Sequence, residues 1–219
     1  MATATSGERR PPVDDSRSAQ KRKAIIEAAT EVFYRKGYLG TSMDEIAALA
    51  AVSKQTVYKH FADKERLFAE IVLRTTDEID ALFAEAALTL HDTADLDKDL
   101  SALARQFTMW LMQPDVLRLR RLIIAEASRF PELGRTWYER GFQQVLATLS
   151  ATLSHLAERG LLRVDDDPTI AANQLMGMIL WIPVNRVMFC GDDERFSEDE
   201  LKRYADAGVR AFLAAHRPA

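Results

Sequence analysis

Two serines, Ser42 and Ser53, each precede a short run whose apolar residues repeat at helical spacing, and the residues between the runs allow only a tight turn. Ser42 with Glu45 has the form of a capping box, in which side chains and backbone satisfy each other's free amides. Met43, Ile46, Ala47 and Ala50 then recur at i, i+3, i+4 and i+7, so a short helix there buries one face. Ser53 caps the next helix, in which Val57 and Phe61 turn inward while Lys54, Gln55, Thr56, Tyr58, Lys59 and His60 are left outward. Two helices joined in this way, the second showing a hydrogen-bonding face, form a helix-turn-helix, whose second helix is shaped to enter a DNA major groove.

The surroundings of that motif repeat a family pattern. Ile25 to Phe33 precede Lys36-Gly37-Tyr38; Thr41-Ser42-Met43 precede Ile46-Ala47; Val52-Ser53 precede Thr56-Val57-Tyr58; His60-Phe61 precede Asp63-Lys64-Glu65 and Leu67-Phe68. In this order and spacing the stretch from Lys21 to Phe68 resembles the DNA-binding domain of the TetR (tetracycline-repressor-like) family of bacterial transcriptional regulators. The segment from Arg121 to Ala127, continued by Phe130-Pro131-Glu132-Leu133, resembles the AefR-like C-terminal subgroup of that family. One position departs: Ala51 stands where the family usually has glycine in the turn, and a left-handed backbone there would cost a residue with a Cβ roughly 1 kcal/mol or more.

The resemblance implies base readout by Ser53, Lys54, Gln55 and Thr56, with Tyr58, Lys59 and His60 on base edges or phosphates. Thr41, Ser42 and Lys64 would fix register on the DNA backbone, Lys64 from the first turn of a helix capped by Asp63. His60 has the alternative of packing on Phe61. Arg17 and Lys21 either reach phosphates or a minor groove, or belong to a solvated tail.

Charge supports the N-terminal placement only modestly. Residues 1–68 hold 12 Lys and Arg against 9 Asp and Glu, and the rest of the chain 17 against 24, within a net charge of −4. Only the first part suits a polyanion. No apolar run reaches membrane-spanning length, since Pro183, Asn185 and Arg186 interrupt the longest candidate, and the first residues lack a secretory pattern; a cytoplasmic protein is expected. Cys190 is the single cysteine, so it forms no internal disulfide.

The expected fold is all-α, with about nine helices and no strand alternation. Residues 1–18 read as a disordered N-terminal arm and 19–68 as a three-helix DNA-binding head. A long helix 4 leads into a C-terminal ligand-binding and dimerisation domain, residues 69–219. Helix 1 is expected over 18–36, stopped by Gly37, and an irregular acidic loop over 91–99 before a helix from Leu100 to Met112. Pro131 opens a helix that Gly160 ends, Asp167-Pro168 one that Gly191 ends, and Ser197 with Glu200 caps the last.

Two apolar seams lie on the final helices: Leu175, Met178, Ile179 and Ile182, then Leu201, Tyr204, Ala205, Gly208, Val209 and Phe212. They can close on each other and the core, or on a second copy. The resemblance favours the second, a homodimer whose two-fold symmetry matches a near-palindromic operator in double-stranded DNA.

The middle of the chain is rich in bulky adaptable side chains, either a packed core or the wall of a cavity for a small apolar or amphipathic effector. The candidate lining is Phe107, Trp110, Glu126, Trp137, Phe142, Asn173, Met176, Trp181 and Asn185, with the polar members also able to serve structural pairs. By resemblance, an occupied cavity would tilt helix 4 and weaken DNA binding, the behaviour of a ligand-released repressor. No cofactor, metal site or catalytic residue is expected. His60, His91, His155 and His216 are scattered, and neither HExxH, GxSxG nor a glycine-rich phosphate loop occurs. A helical protein-interaction module, a regulator with no working pocket and an activator are the alternatives.

Overall fold

The computed structural model describes residues 13–165, 167–191 and 195–218, and within them every element is helical. The chain divides into two compact units, residues 1–71 and 72–219. No helix of the described residues is long and apolar enough to cross a membrane.

The first unit holds α1 (Val13–Gly40), α2 (Met43–Leu49), α3 (Lys54–His60) and the opening of α4 (Lys64–His91). Of the arm expected over 1–18, the part to residue 12 lies outside the described residues, and from Val13 the chain is already helical. Gly37, at φ 71°, interrupts α1 where a stop was expected. Ile25, Ala29, Val32 and Phe33 of α1 are buried with Ile46, Val57, Leu67 and Phe68. Phe33, Tyr38 and Phe68 join in a cluster with ring centroids 5.1–5.8 Å apart.

The caps form largely as the sequence dictates. Ser42 Oγ accepts from the Glu45 amide, Ser53 Oγ from the Thr56 amide, and Asp63 Oδ1 from the Arg66 amide. The box at Ser42 is only half built, because the Glu45 carboxylate is taken by Arg35 at 2.8 Å and Lys36 at 2.7 Å. Those partners, Lys36 first, hold the Glu45 carboxyl below the usual carboxylate range. Ala51 keeps a left-handed backbone, φ 53°, despite its Cβ.

The second unit comprises the rest of α4, then α5 (Leu96–Leu111), α6 (Pro114–Glu126), α7 (Pro131–Thr136), a π-helical segment (Trp137–Gln143), α8 (Gln144–Glu158), α9 (Pro168–Cys190) and α10 (Glu198–His216). α7, the π segment and α8 run on without a break, with helical backbone angles at both joints. The segment 91–99 is less irregular than expected: Asp95 caps α5 through the Lys98 amide, and Thr93 ties Asp99 and the Asp95 amide. α5 therefore starts at Leu96.

α10 packs on α5 and α9, and α8 packs on α9. Phe83, Leu100, Phe107, Leu149, Leu153 and Ile179 fill the core, where Phe83 and Phe107 meet edge to face at 4.6 Å. This packing uses up most of the seams expected at a dimer interface. Leu175, Ile179, Leu201, Ala205, Gly208, Val209 and Phe212 are all buried within the chain itself. Gly208 marks the tightest approach of α9 and α10, for a Cβ there would lie 2.6 Å from Ile179 Cγ2 and 3.1 Å from the Met178 carbonyl. Tyr204 is half-buried against the Phe196 ring, and only Met178 and Ile182, 44% and 52% exposed, still face outward.

Candidate nucleic-acid interface and apolar cavity

α3 presents a short outward face. Gln55 and Lys59 are exposed, and Tyr58 is 45% exposed beside them. Ser53 and Thr56 share a hydroxyl-to-hydroxyl hydrogen bond of 2.8 Å at the start of α3, and Ser42 is exposed at the start of α2. Lys54 is exposed but leans on Asp44 at 2.7 Å, and this hydrogen bond raises its pKa. Arg17 and Lys21 lie exposed on α1. His60 is half-buried; burial lowers its pKa, and the charges of Lys59, Arg22 and Lys21 push the same way. Those three cations and the ring therefore share one positive neighbourhood, with Arg22 also 5.2 Å from the Phe61 ring centroid and paired with Glu70.

Two residues expected on DNA are engaged inside the unit instead. Thr41 is buried, and its hydroxyl donates to the Gly37 carbonyl oxygen at 2.7 Å, stitching the end of α1. Lys64 donates from Nζ to the carbonyl oxygens of Tyr38 and Thr41 at 2.7 and 2.8 Å, because the first turn of α4 lies beside the interrupted end of α1. The carbonyl oxygens at and just beyond the end of α1 attract the ammonium.

The second unit contains a cavity of about 570 Å³, within the range of small-molecule sites. Phe107, Trp137, Phe142, Asn173, Met176, Trp181 and Asn185 line it, as expected from the sequence, together with Ile79 of α4. Trp110 and Glu126 do not: Trp110 is half-buried and packs against the core, and Glu126 is half-buried in the last turn of α6. The π segment supplies Trp137, Gly141 and Phe142, and such turns recur at functional sites.

Sequence reasoning missed Arg120, the charged side chain of this lining. It is half-buried, with its guanidinium carbon 4.9 Å from the Phe142 ring centroid, and burial depresses its pKa. Its signal was present: Val116, Ile123 and Ile124 bracket it at helical spacing, though Arg118 and Arg121 beside it disguise the run as a solvated face. Asn173 and Asn185 each donate from Nδ2 to the carbonyl four residues back, Thr169 and Trp181, leaving their Oδ1 atoms as acceptors. The arrangement can hold a largely apolar molecule and orient one charged end.

Comparison with known proteins follows this division. Residues 25–71 match the model for bacterial regulatory proteins of the tetR family, and residues 98–218 that for the C-terminal domain of AefR-like transcriptional repressors. A solved structure of a TetR-family transcriptional regulator from Mesorhizobium loti MAFF303099 is 49% identical, with a TM-score of 0.85 over 92% of this chain and 99% of that one. The flavonoid-responsive regulator FrrA is 29% identical, with a TM-score of 0.66 over 91% and 98% of the two chains. YhgD of Bacillus subtilis, an HTH-type transcriptional regulator, is 44% identical over 78 residues, which span 34% of this chain and 41% of that protein.

Proposed function

Because this chain belongs to the TetR family of bacterial transcriptional regulators, with an AefR-like C-terminal domain, we propose that it is a homodimeric, sequence-specific DNA-binding repressor that a small amphipathic molecule releases from its operator. The observation that carries the DNA-binding part is the capped α3, whose Gln55, Tyr58 and Lys59 stand outward while Val57 anchors the helix in the core. Members of the family are regulators and not enzymes. A regulator acting on the bacterial chromosome would work in the cytoplasm.

The cavity supports the ligand-responsive part, as does likeness to a regulator described as flavonoid-responsive. Ile79 in its wall belongs to α4, the helix that also supplies residues 64–71 of the first unit, and this shared helix is the link through which ligand and DNA binding would be coupled. Dimerisation would use the outer side of α9, where Met178, Trp181 and Ile182 are exposed.

The test is selection of bound fragments from genomic DNA, followed by gel shift of the recovered site. Gln55→Ala with Lys59→Ala should abolish the specific shift while leaving the helical circular dichroism and the dimer unchanged. Wild-type-like binding by that variant would remove the assignment of α3 as the reading helix.

A further inference from the structure

Arg120 is anomalous in its setting. It lines an apolar cavity, half-buried, with the Phe142 ring as its neighbour and no carboxylate within ion-pair distance among the described residues. Yet the chain beyond residue 68 has a surplus of acidic groups, and nearby arginines do find them, as Arg105 does with Asp206 at 2.6 Å and Arg118 with Asp115 at 3.5 Å. A guanidinium withdrawn from water without an opposite charge destabilises the empty protein. Such a group is retained where something else supplies the charge.

The rest of the polar lining narrows the choice. Asn173 and Asn185 each spend one amide N–H on their own helix, so each keeps one N–H and a carbonyl oxygen, both neutral groups. Among the described residues the one charged group of the lining is the planar donor fork of Arg120, which suits a carboxylate bidentately and is the strongest seat for an anionic end. The remaining surface, with Phe107, Trp137, Phe142 and Met176, takes an apolar body. We propose that the cavity selects organic monoanions, a carboxylate seated on the Arg120 guanidinium with an alkyl or aryl body among the aromatic walls. This rests on the reading of the cavity as an effector site and adds the charge of the effector.

The test uses the full chain and two matched pairs: dodecanoate with dodecan-1-ol, and biphenyl-4-carboxylate with biphenyl-4-methanol, titrated by the fluorescence of Trp137 and Trp181. Wild type should bind the carboxylate of at least one pair about tenfold or more tighter than its alcohol. Arg120→Gln should bring the two close to parity by weakening the carboxylate alone, and Arg120→Lys should keep part of the preference. The pair that shows the preference tells whether the body is alkyl or aryl. Arg120→Gln should also melt no lower than wild type without ligand, since the arginine has no protein counter-charge to lose. Gly177→Phe, at a position in the cavity wall where a Cβ meets nothing within 4 Å, should block both members of a pair. Alcohols that bind as tightly as carboxylates, or a preference that survives Arg120→Gln, would overturn the charge inference and leave the cavity's role standing. Absence of binding by all four compounds would overturn both.

Discussion

Lys64 grips Tyr38 twice: its Nζ donates to the Tyr38 carbonyl oxygen at 2.7 Å and lies 4.5 Å from the centroid of the Tyr38 ring. With the further bond to Thr41, the ammonium closes the gap left by the interruption at Gly37. A residue at a helix start that suits a phosphate has become a clasp between α1 and α4.

Lys64→Met should therefore lower the unfolding free energy of the protein by about 1.5–3 kcal/mol, the range for hydrogen bonds that involve a charged group. Urea denaturation followed by circular dichroism measures it. Unchanged stability with lost operator binding would instead return Lys64 to the DNA backbone.

Ala51→Gly should stabilise the first unit by about 1 kcal/mol, because the left-handed backbone at φ 53° penalises a Cβ and not a glycine. The gain is reduced by the extra freedom of glycine in the unfolded chain. A lower denaturation midpoint in the glycine variant would contradict the strain.

Gly208→Ala should destabilise by about 1–3 kcal/mol through overpacking, since its Cβ would stand 2.6 Å from Ile179 Cγ2 and 3.1 Å from rigid Met178 backbone. The thermal midpoint should fall, and Ile179→Ala in the same chain should recover part of the loss of packing room. Additive losses in the double variant would show that the two side chains do not compete for one space.

His60 carries a pH signature. Burial, then the positive charges of Lys59, Arg22 and Lys21, hold its pKa below the ordinary 6.5, so folding favours the neutral ring. Its contribution to stability is complete above the unfolded value and is lost as the pH falls through the lower folded value. Between about pH 7 and pH 5 the wild type should lose stability more steeply than His60→Gln. Parallel curves for the two proteins would dissociate the ring from this positive neighbourhood.

How much of this was legible in the sequence depends on the range of the interaction. Ser42, Ser53, Asp63 and Ser197 announced their helices because a cap bonds within a few residues of itself. Part of the cavity lining was readable for a similar reason, as aromatic residues such as Phe107 and Trp137 on buried stripes have few other places to go, whereas Trp181 lines it from an exposed position. The failures all concern partners distant in sequence. Periodicity showed that Leu175, Val209 and Phe212 are buried, but not that α5, α9 and α10 of the same chain bury them. Composition gave Glu45, Lys64 and Arg120 their charges, whereas only the fold assigned two cations to the first, two carbonyls to the second and no carboxylate to the third.

The π-helical segment has a consequence for how this cavity can change over time. Trp137 and Phe142 are five residues apart, a spacing that an ordinary helix points to different sides and a π turn brings round to one. Returning that turn to α geometry would rotate Phe142 by roughly a quarter turn relative to Trp137, reshaping the hollow without replacing a side chain. The shape of the hollow is thus written partly in helical phase. Single-residue insertions and deletions, which scramble most buried helices, become at Trp137–Gln143 a means of altering the cavity's shape.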